Sequence, residues 1–176
     1  MIIKTSALKR EARKLIPQLT AAGLRIAVVK HSHHDFSIDQ PGKDSYELHR
    51  AGSQQTLIAS SYRTALVSEN LSRQEPELSS TIQQLDLEHT DLVLVEGFRH
   101  QAGLKKIELH RRELDKPLLF KDDPDIIALA INDPEKTDPS DGRVTILDLN
   151  QPQQLATLIL EELGKKTFSF PLKDSD

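Results

Sequence analysis

Cysteine is absent from the 176 residues. That excludes disulfides and thiolate metal sites, and it fits a reducing compartment. No run approaches the roughly 20 apolar residues that a membrane-spanning helix needs. The opening MIIKTSALKREARK places charges where a signal peptide would carry its apolar stretch. An excess of positive charge is missing as well. Lys and Arg number 23 against 27 acids, a net charge of −4, so composition gives no general reason to expect a nucleic-acid partner. The expectation is a soluble, cytoplasmic protein of one domain, long enough to bury a core.

What is present is a dense polar stretch set behind an apolar one. Ile26 to Val29 is a run suited to a buried strand. It breaks into Lys30, three histidines (His31, His33, His34) and two acids (Asp35, Asp39). Pro41-Gly42 signals a turn, and Lys43, Asp44 and Ser45 open a helix. In open α/β sheets, ligands bind past the carboxyl ends of the strands, which is where this cluster falls.

Along the rest of the chain the apolar periodicity alternates between strand and helix. Residues 6 to 22 form an amphipathic helix through Leu8, Ala12, Leu15 and Leu19, with a kink or break expected at Pro17. Strands are expected over 24 to 30, 91 to 95, 106 to 110, 126 to 131 and 144 to 147. Two further runs, 55 to 59 and 64 to 68, flank a plausible turn and predict an antiparallel hairpin. Helices are expected over 43 to 51, 74 to 88 and 151 to 163, followed by a charged, frayed tail over 165 to 176. The fold class is therefore α/β: a mainly parallel sheet flanked by helices, with a hairpin near 55 to 68.

Two segments carry candidate chemistry. Asp91 to Gly97 (DLVLVEG) has the form of a Walker B strand, whose terminal acid, Glu96, can hold magnesium through water. A buried strand that merely ends in an acid fits the same residues. The histidine cluster reads two ways. His31, His33 and Asp35 match the H-x-H-x-D opening of a metallo-hydrolase motif, although Phe36 stands where a second-metal histidine belongs. Alternatively, Lys30, the histidines and Asp35 face the phosphates and magnesium of a nucleotide. A solvated polar loop is the third possibility. Gly42-Lys43 and Gly164-Lys165 lack the pattern of a phosphate loop, and Asp122 to Asp125 suits a solvated turn.

Taken in order, Val29 to Asp35 (VKHSHHD), Asp39 to Ser45 (DQPGKDS), Ala51-Gly52 and Leu94 to Phe98 (LVEGF) resemble the molybdopterin-guanine dinucleotide biosynthesis protein B family. The likeness runs from Leu15 to Leu19 (LIPQL) to the last strand. It implies a P-loop NTPase-type fold that binds GTP with Mg2+, has at most weak GTPase activity, and is usually a homodimer. It also implies an accessory role for the guanylyltransferase that attaches GMP to molybdopterin. That enzyme, and molybdopterin or its guanine dinucleotide, are the implied partners. In this light Glu96 is the Walker B acid. Lys30, His31, His33, His34, Asp35, Asp44, Ser45 and Gly97 line the nucleotide, Asp35 joins Glu96 around the metal, and Asp133 reads the guanine.

One departure stands against these agreements. The family begins with a strand and a glycine-rich phosphate loop, whereas residues 4 to 10 (KTSALKR) contain no glycine. Such a loop supplies most phosphate binding in this fold. The expectation is a single domain over 1 to 164 with its first strand and phosphate loop absent, through truncation or degeneration, unless residues 1 to 4 pair as a stub. Two other functions follow from the residues: a nucleotide-dead adaptor for the guanylyltransferase or a molybdoenzyme, and a metal-dependent hydrolase using His31, His33 and Asp35.

Overall fold

The computed structural model describes residues 2–5, 8–98, 100–137 and 142–164. In chain order the elements are β1 (Ile2–Thr5), α1 (Leu8–Ala21), β2 (Ile26–Lys30), α2 (Asp44–Arg50), β3 (Gln55–Ala59), β4 (Thr64–Ser68), α3 (Leu78–Ile82), β5 (Leu92–Glu96), β6 (Lys106–His110), β7 (Ile126–Ile131), β8 (Thr145–Asp148) and α4 (Pro152–Glu162). Where length alone reads as one domain, the chain divides into two compact units, Met1–His31 with Glu77–Asp176, and Ser32–Pro76.

The first unit is built on a six-stranded sheet in the order β2-β5-β1-β6-β7-β8, and every pairing in it is parallel. The expected absence of a first strand is corrected here. Ile2–Thr5 forms a four-residue stub that pairs with β5 on one side and β6 on the other.

Strand alternation divides the core between two faces. Leu92 and Leu94 of β5 and Ala128 and Ala130 of β7 pack with Leu15 and Leu19 of α1 and with Leu155, Ala156 and Ile159 of α4. On the other face, Val93 and Val95 meet Leu78 and Ile82 of α3. Leu129 and Ile131 meet Phe120 and Val144. Among the described residues, no helix is long and apolar enough to cross a membrane.

Two helices differ from their sequence periodicity. α1 runs through Pro17 without a break, because the ring removes one hydrogen bond while Leu15 and Leu19 stay anchored in the core. The helix expected over 74 to 88 contracts to Leu78–Ile82. Ser80 and Thr81 turn their hydroxyls back onto the Glu77 carbonyl, at 3.0 and 2.8 Å, which competes with continued helix.

β6 departs furthest from expectation. Its sequence alternates polar and apolar residues, the pattern of a half-buried strand, yet Lys106, Glu108 and His110 are all buried. Glu108 accepts hydrogen bonds from the Leu119 and Phe120 amides, at 2.9 Å each. Lys106 Nζ lies 2.7 Å from Asp123 and 3.4 Å from Asp125. The loop over 119–125 therefore covers the polar side of β6, and Lys106 and Glu108 each have their own partners.

The second unit holds α2 and the β3–β4 hairpin, antiparallel as the sequence predicts. Ser60 Oγ accepts from the Tyr62 and Arg63 amides, both at 3.2 Å, and fixes the turn. His49 on α2 meets Glu69, just past β4, at 2.7 Å.

Glu108→Ala strands two buried amides, so it should lower unfolding free energy by about 2–5 kcal/mol. Glu108→Gln keeps one acceptor and should cost about 1 kcal/mol. Urea denaturation of the two variants checks both the size and the order.

Candidate functional site

Parallel pairing brings the carboxyl ends of β2, β5 and β1 to one level. Lys30 is in register with Glu96, and Glu96 with Thr5. Directly paired residues share a face of the sheet, and Lys30 Nζ lies 3.7 Å from Glu96 Oε2. Glu96 is partly buried and Lys30 mostly exposed. An exposed pair of this kind contributes little to stability and rearranges readily. A carboxylate with an ammonium beside it, past the ends of parallel strands, suits a hydrated magnesium ion and an anionic oxygen.

The backbone around this pair is tightly drawn. The His31 amide donates to the Glu96 carbonyl at 2.9 Å, which extends the ladder one residue past β2. Gly97 has φ +91°, and a Cβ built on it would lie 2.5 Å from His31 Cβ. Glycine at 97 is thus required by conformation and by space alike. Phe98 follows at φ +49°, with its ring 4.9 Å from the His31 imidazole.

Of the residues singled out in the sequence, the structure brings together Lys30, His31, Glu96 and Gly97. Asp133 belongs to the same unit, two residues past the end of β7, and lies 3.7 Å from Lys136. Its neighbour Asn132 is committed elsewhere. It accepts from the Arg112 amide at 3.2 Å and donates to Glu113 at 2.8 Å. His33, His34, Asp35, Asp44 and Ser45 belong to the second unit. There the Ser32 hydroxyl donates to the His34 carbonyl at 2.8 Å, and Asp35 accepts from the Phe36 amide at 2.9 Å. Asp44 and Ser45 begin α2, whose start has no side-chain cap. Of the hydrolase triplet, His31 closes the first unit's opening segment, and His33 and Asp35 fall in the second unit.

The absent glycine loop falls in part on residues 6 and 7, which lie outside the described residues, as does the tail 165–176. β1 ends at Thr5 and α1 begins at Leu8.

Sequence reading missed Glu11 and Arg111. Arg111, one residue past β6, donates to Glu11 Oε1 in the first turn of α1 at 2.7 Å, and Glu11 is almost fully buried. A signal was available, because Glu11 lies three residues after Leu8 and four before Leu15, on the apolar side of the helix.

A parallel sheet flanked by helices, with an acid and a lysine at the tips of neighbouring strands, defines an α/β protein whose candidate site lies at the carboxyl edge of the sheet. Comparison with known proteins narrows this. The family model for molybdopterin guanine dinucleotide synthesis protein B matches residues 4–132. The molybdopterin-guanine dinucleotide biosynthesis adapter protein of Escherichia coli K12 is 39% identical over 163 residues, covering 93% of this chain and 88% of that protein. Its namesake from Haemophilus influenzae is 42% identical over 146 residues, covering 83% and 77%. This chain belongs to the molybdopterin guanine dinucleotide synthesis protein B family. A crystal structure of molybdopterin-guanine biosynthesis protein B superimposes with a TM-score of 0.69 at 23% identity, over 94% of this chain and all of that one. The Bacillus subtilis MobB crystal structure gives 0.66 at 21%, over 92% and 96%. At these identities the structures establish the fold.

Gly97→Ala combines a left-handed backbone with a clash, so it should cost about 2–4 kcal/mol. Gly23 is also left-handed, at φ +85°, but has open space around it. Gly23→Ala should therefore cost only about 1 kcal/mol. Thermal denaturation of both variants isolates the His31 contact.

Proposed function

We propose that the chain is a guanine-nucleotide-binding adapter in the biosynthesis of the molybdopterin guanine dinucleotide cofactor, acting as a cytoplasmic homodimer beside the guanylyltransferase. Lys30 and Glu96 carry this reading. They occupy adjacent strand tips at the ligand-binding edge of a parallel sheet, in a family whose named relatives are adapter proteins of this biosynthesis.

The donor set fits magnesium. Glu96 offers a hard carboxylate oxygen, and magnesium keeps most of its remaining ligands as water or phosphate oxygen. When bound, the ion would neutralise phosphate charge. Lys30 would leave Glu96 for a phosphate oxygen, and the Gly97 backbone would let that group approach closely. His31, His33, His34, Asp35, Asp44 and Ser45 are assigned to the nucleotide side, Asp35 to the metal with Glu96, and Asp133 to the base. Catalytic turnover is at most weak, since residues 4 to 10 hold no glycine to cradle the phosphates.

A second reading is a nucleotide-free adapter that keeps only the docking role. The short span between β1 and α1, from Thr5 to Leu8, favours it, because a glycine-rich phosphate loop needs roughly eight residues.

Titration calorimetry separates the two. The first reading expects binding of GTP with magnesium at micromolar levels, with ATP at least about tenfold weaker. Lys30→Ala should weaken GTP by about tenfold, and Glu96→Gln should abolish the magnesium dependence. Absence of GTP binding would leave the adapter role alone, to be tested by co-sedimentation with the guanylyltransferase.

A further inference from the structure

The loop that carries Asp133 is braced from the neighbouring strand. β7 ends at Ile131, and the chain passes through Asn132 and Asp133 into a one-turn 3₁₀ helix, Pro134–Lys136. At the start of this loop the Asn132 side chain accepts from the Arg112 amide at 3.2 Å and donates to Glu113 at 2.8 Å. At its end the Arg112 guanidinium crosses over. Its Nη2 donates to the Lys136 carbonyl at 3.0 Å and to the Thr137 hydroxyl at 2.6 Å. The Thr137 hydroxyl donates in turn to the Asp133 carbonyl at 3.3 Å. Arg112 and Glu113 belong to the turn that follows β6, so one turn grips the other at both ends. Asp133 lies between the two grips, half-exposed, with its carboxylate loosely met by Lys136 at 3.7 Å.

We propose that Arg112 is a positioning residue for base selection: through Thr137 and the loop backbone it fixes the Asp133 carboxylate where guanine presents two donors. This rests on the assignment of the base to Asp133 made above. Guanine offers a ring N–H and an exocyclic amine side by side, and one carboxylate accepts from both in parallel. Hypoxanthine keeps the ring N–H alone, and adenine has an acceptor at that ring position. Two parallel bonds demand a carboxylate held to within about half an ångström, whereas a single bond tolerates more. Asp133 does not obtain that precision from its own exposed ion pair, which rearranges readily. Arg112 supplies it, because a guanidinium that donates to two successive residues of a loop fixes their backbone together. The location suits the ligand as well. In the order β5-β1-β6-β7, Asp133 follows a strand three spacings from that of Glu96, about 14 Å across the sheet. An extended nucleoside triphosphate covers that distance from its terminal phosphates to its base.

Titration calorimetry of the full chain with GTP and with ITP, both in magnesium, reads the contribution of the exocyclic amine. Wild type should bind GTP about tenfold more tightly than ITP. Arg112→Ala should bring that ratio to about twofold, by weakening GTP and leaving ITP nearly unchanged. A general loss of structure weakens both nucleotides alike, so the ratio isolates positioning. Thr137→Val keeps the shape of the side chain and removes the relay hydroxyl; it should lower the ratio to about fourfold. It decides the matter if circular dichroism finds Arg112→Ala poorly folded. Asp133→Asn tests the underlying reading: its amide donates where the carboxylate accepted, so GTP should weaken by about tenfold or more and XTP should gain. If the GTP to ITP ratio ignores Arg112→Ala and Thr137→Val while Asp133→Asn exchanges GTP for XTP, the role of Arg112 is overturned and the base reading stands. If Asp133→Asn leaves the preference for GTP as it was, or wild type binds neither nucleotide or both equally, the two fall together.

Discussion

The large sheet depends on the four residues of β1. In the order β2-β5-β1-β6-β7-β8, Ile2–Thr5 joins a two-stranded half to a three-stranded half. A central parallel strand is bonded on both sides: all four residues pair with β5, and Lys4 and Thr5 pair with β6 as well. Four residues are few for that position, and the sheet holds because its neighbours are longer and covered on both faces. β5 is buried along Leu92–Val95, and α1, which follows β1, delivers Leu15 and Leu19 to the same core. The level at which β1 stops also sets the level of the site, since Thr5, Glu96 and Lys30 share one register.

Burial of charge is the second constraint. A parallel sheet covered on both faces leaves no solvated side for polar residues, yet β6 carries Lys106, Glu108 and His110 inward. Desolvating such groups is unfavourable by several kcal/mol unless each is paired (roughly the scale for buried ions). The chain meets this with directed partners: loop amides for Glu108, Asp123 and Asp125 for Lys106, and Arg111 for Glu11. These contacts also fix geometry. Glu108 orders the loop that places Phe120 over β7, and Arg111 ties the first turn of α1 to the carboxyl end of β6. Polar groups thereby set the position of apolar ones.

Which features could be read from the sequence follows from these two constraints. Strands such as Leu92–Glu96 and Ile126–Ile131 announce themselves because full burial demands unbroken apolar runs, and the polar residue that ends each run marks the carboxyl edge of the sheet. Lys30 and Glu96 were legible for that reason, far apart in the chain yet both at strand tips. Glu108 and Lys106 were not, because alternation is the signature of a half-exposed strand. Only the loop over 119–125, brought back by tertiary folding, turns that pattern into a buried one. Serine and threonine hydroxyls shortened α3 by a local bond that periodicity does not register. The stub at Ile2–Thr5 was hidden for another reason: four residues are too few to show a period, and their place is set by β5 and β6.

The tip of β5 shows what the short β1–α1 connection leaves for a ligand to use. In a fold of this type, phosphate charge is ordinarily met by backbone amides of a glycine-rich loop at the start of the helix. Here the first turn of α1 already carries an acid, Glu11, held by Arg111. The favourable end of the helix dipole and one nearby guanidinium are thus satisfied internally. Beside Glu96 lies Lys30, mostly exposed, on a flexible stem and weakly held at 3.7 Å. A lysine acts as a point charge without the fixed donor geometry of a loop. Binding at this edge would therefore draw its strength from charge and its geometry from the drawn-in backbone at His31 and Gly97. On the reading proposed above, such an arrangement would suit holding a nucleotide better than aligning one for in-line attack.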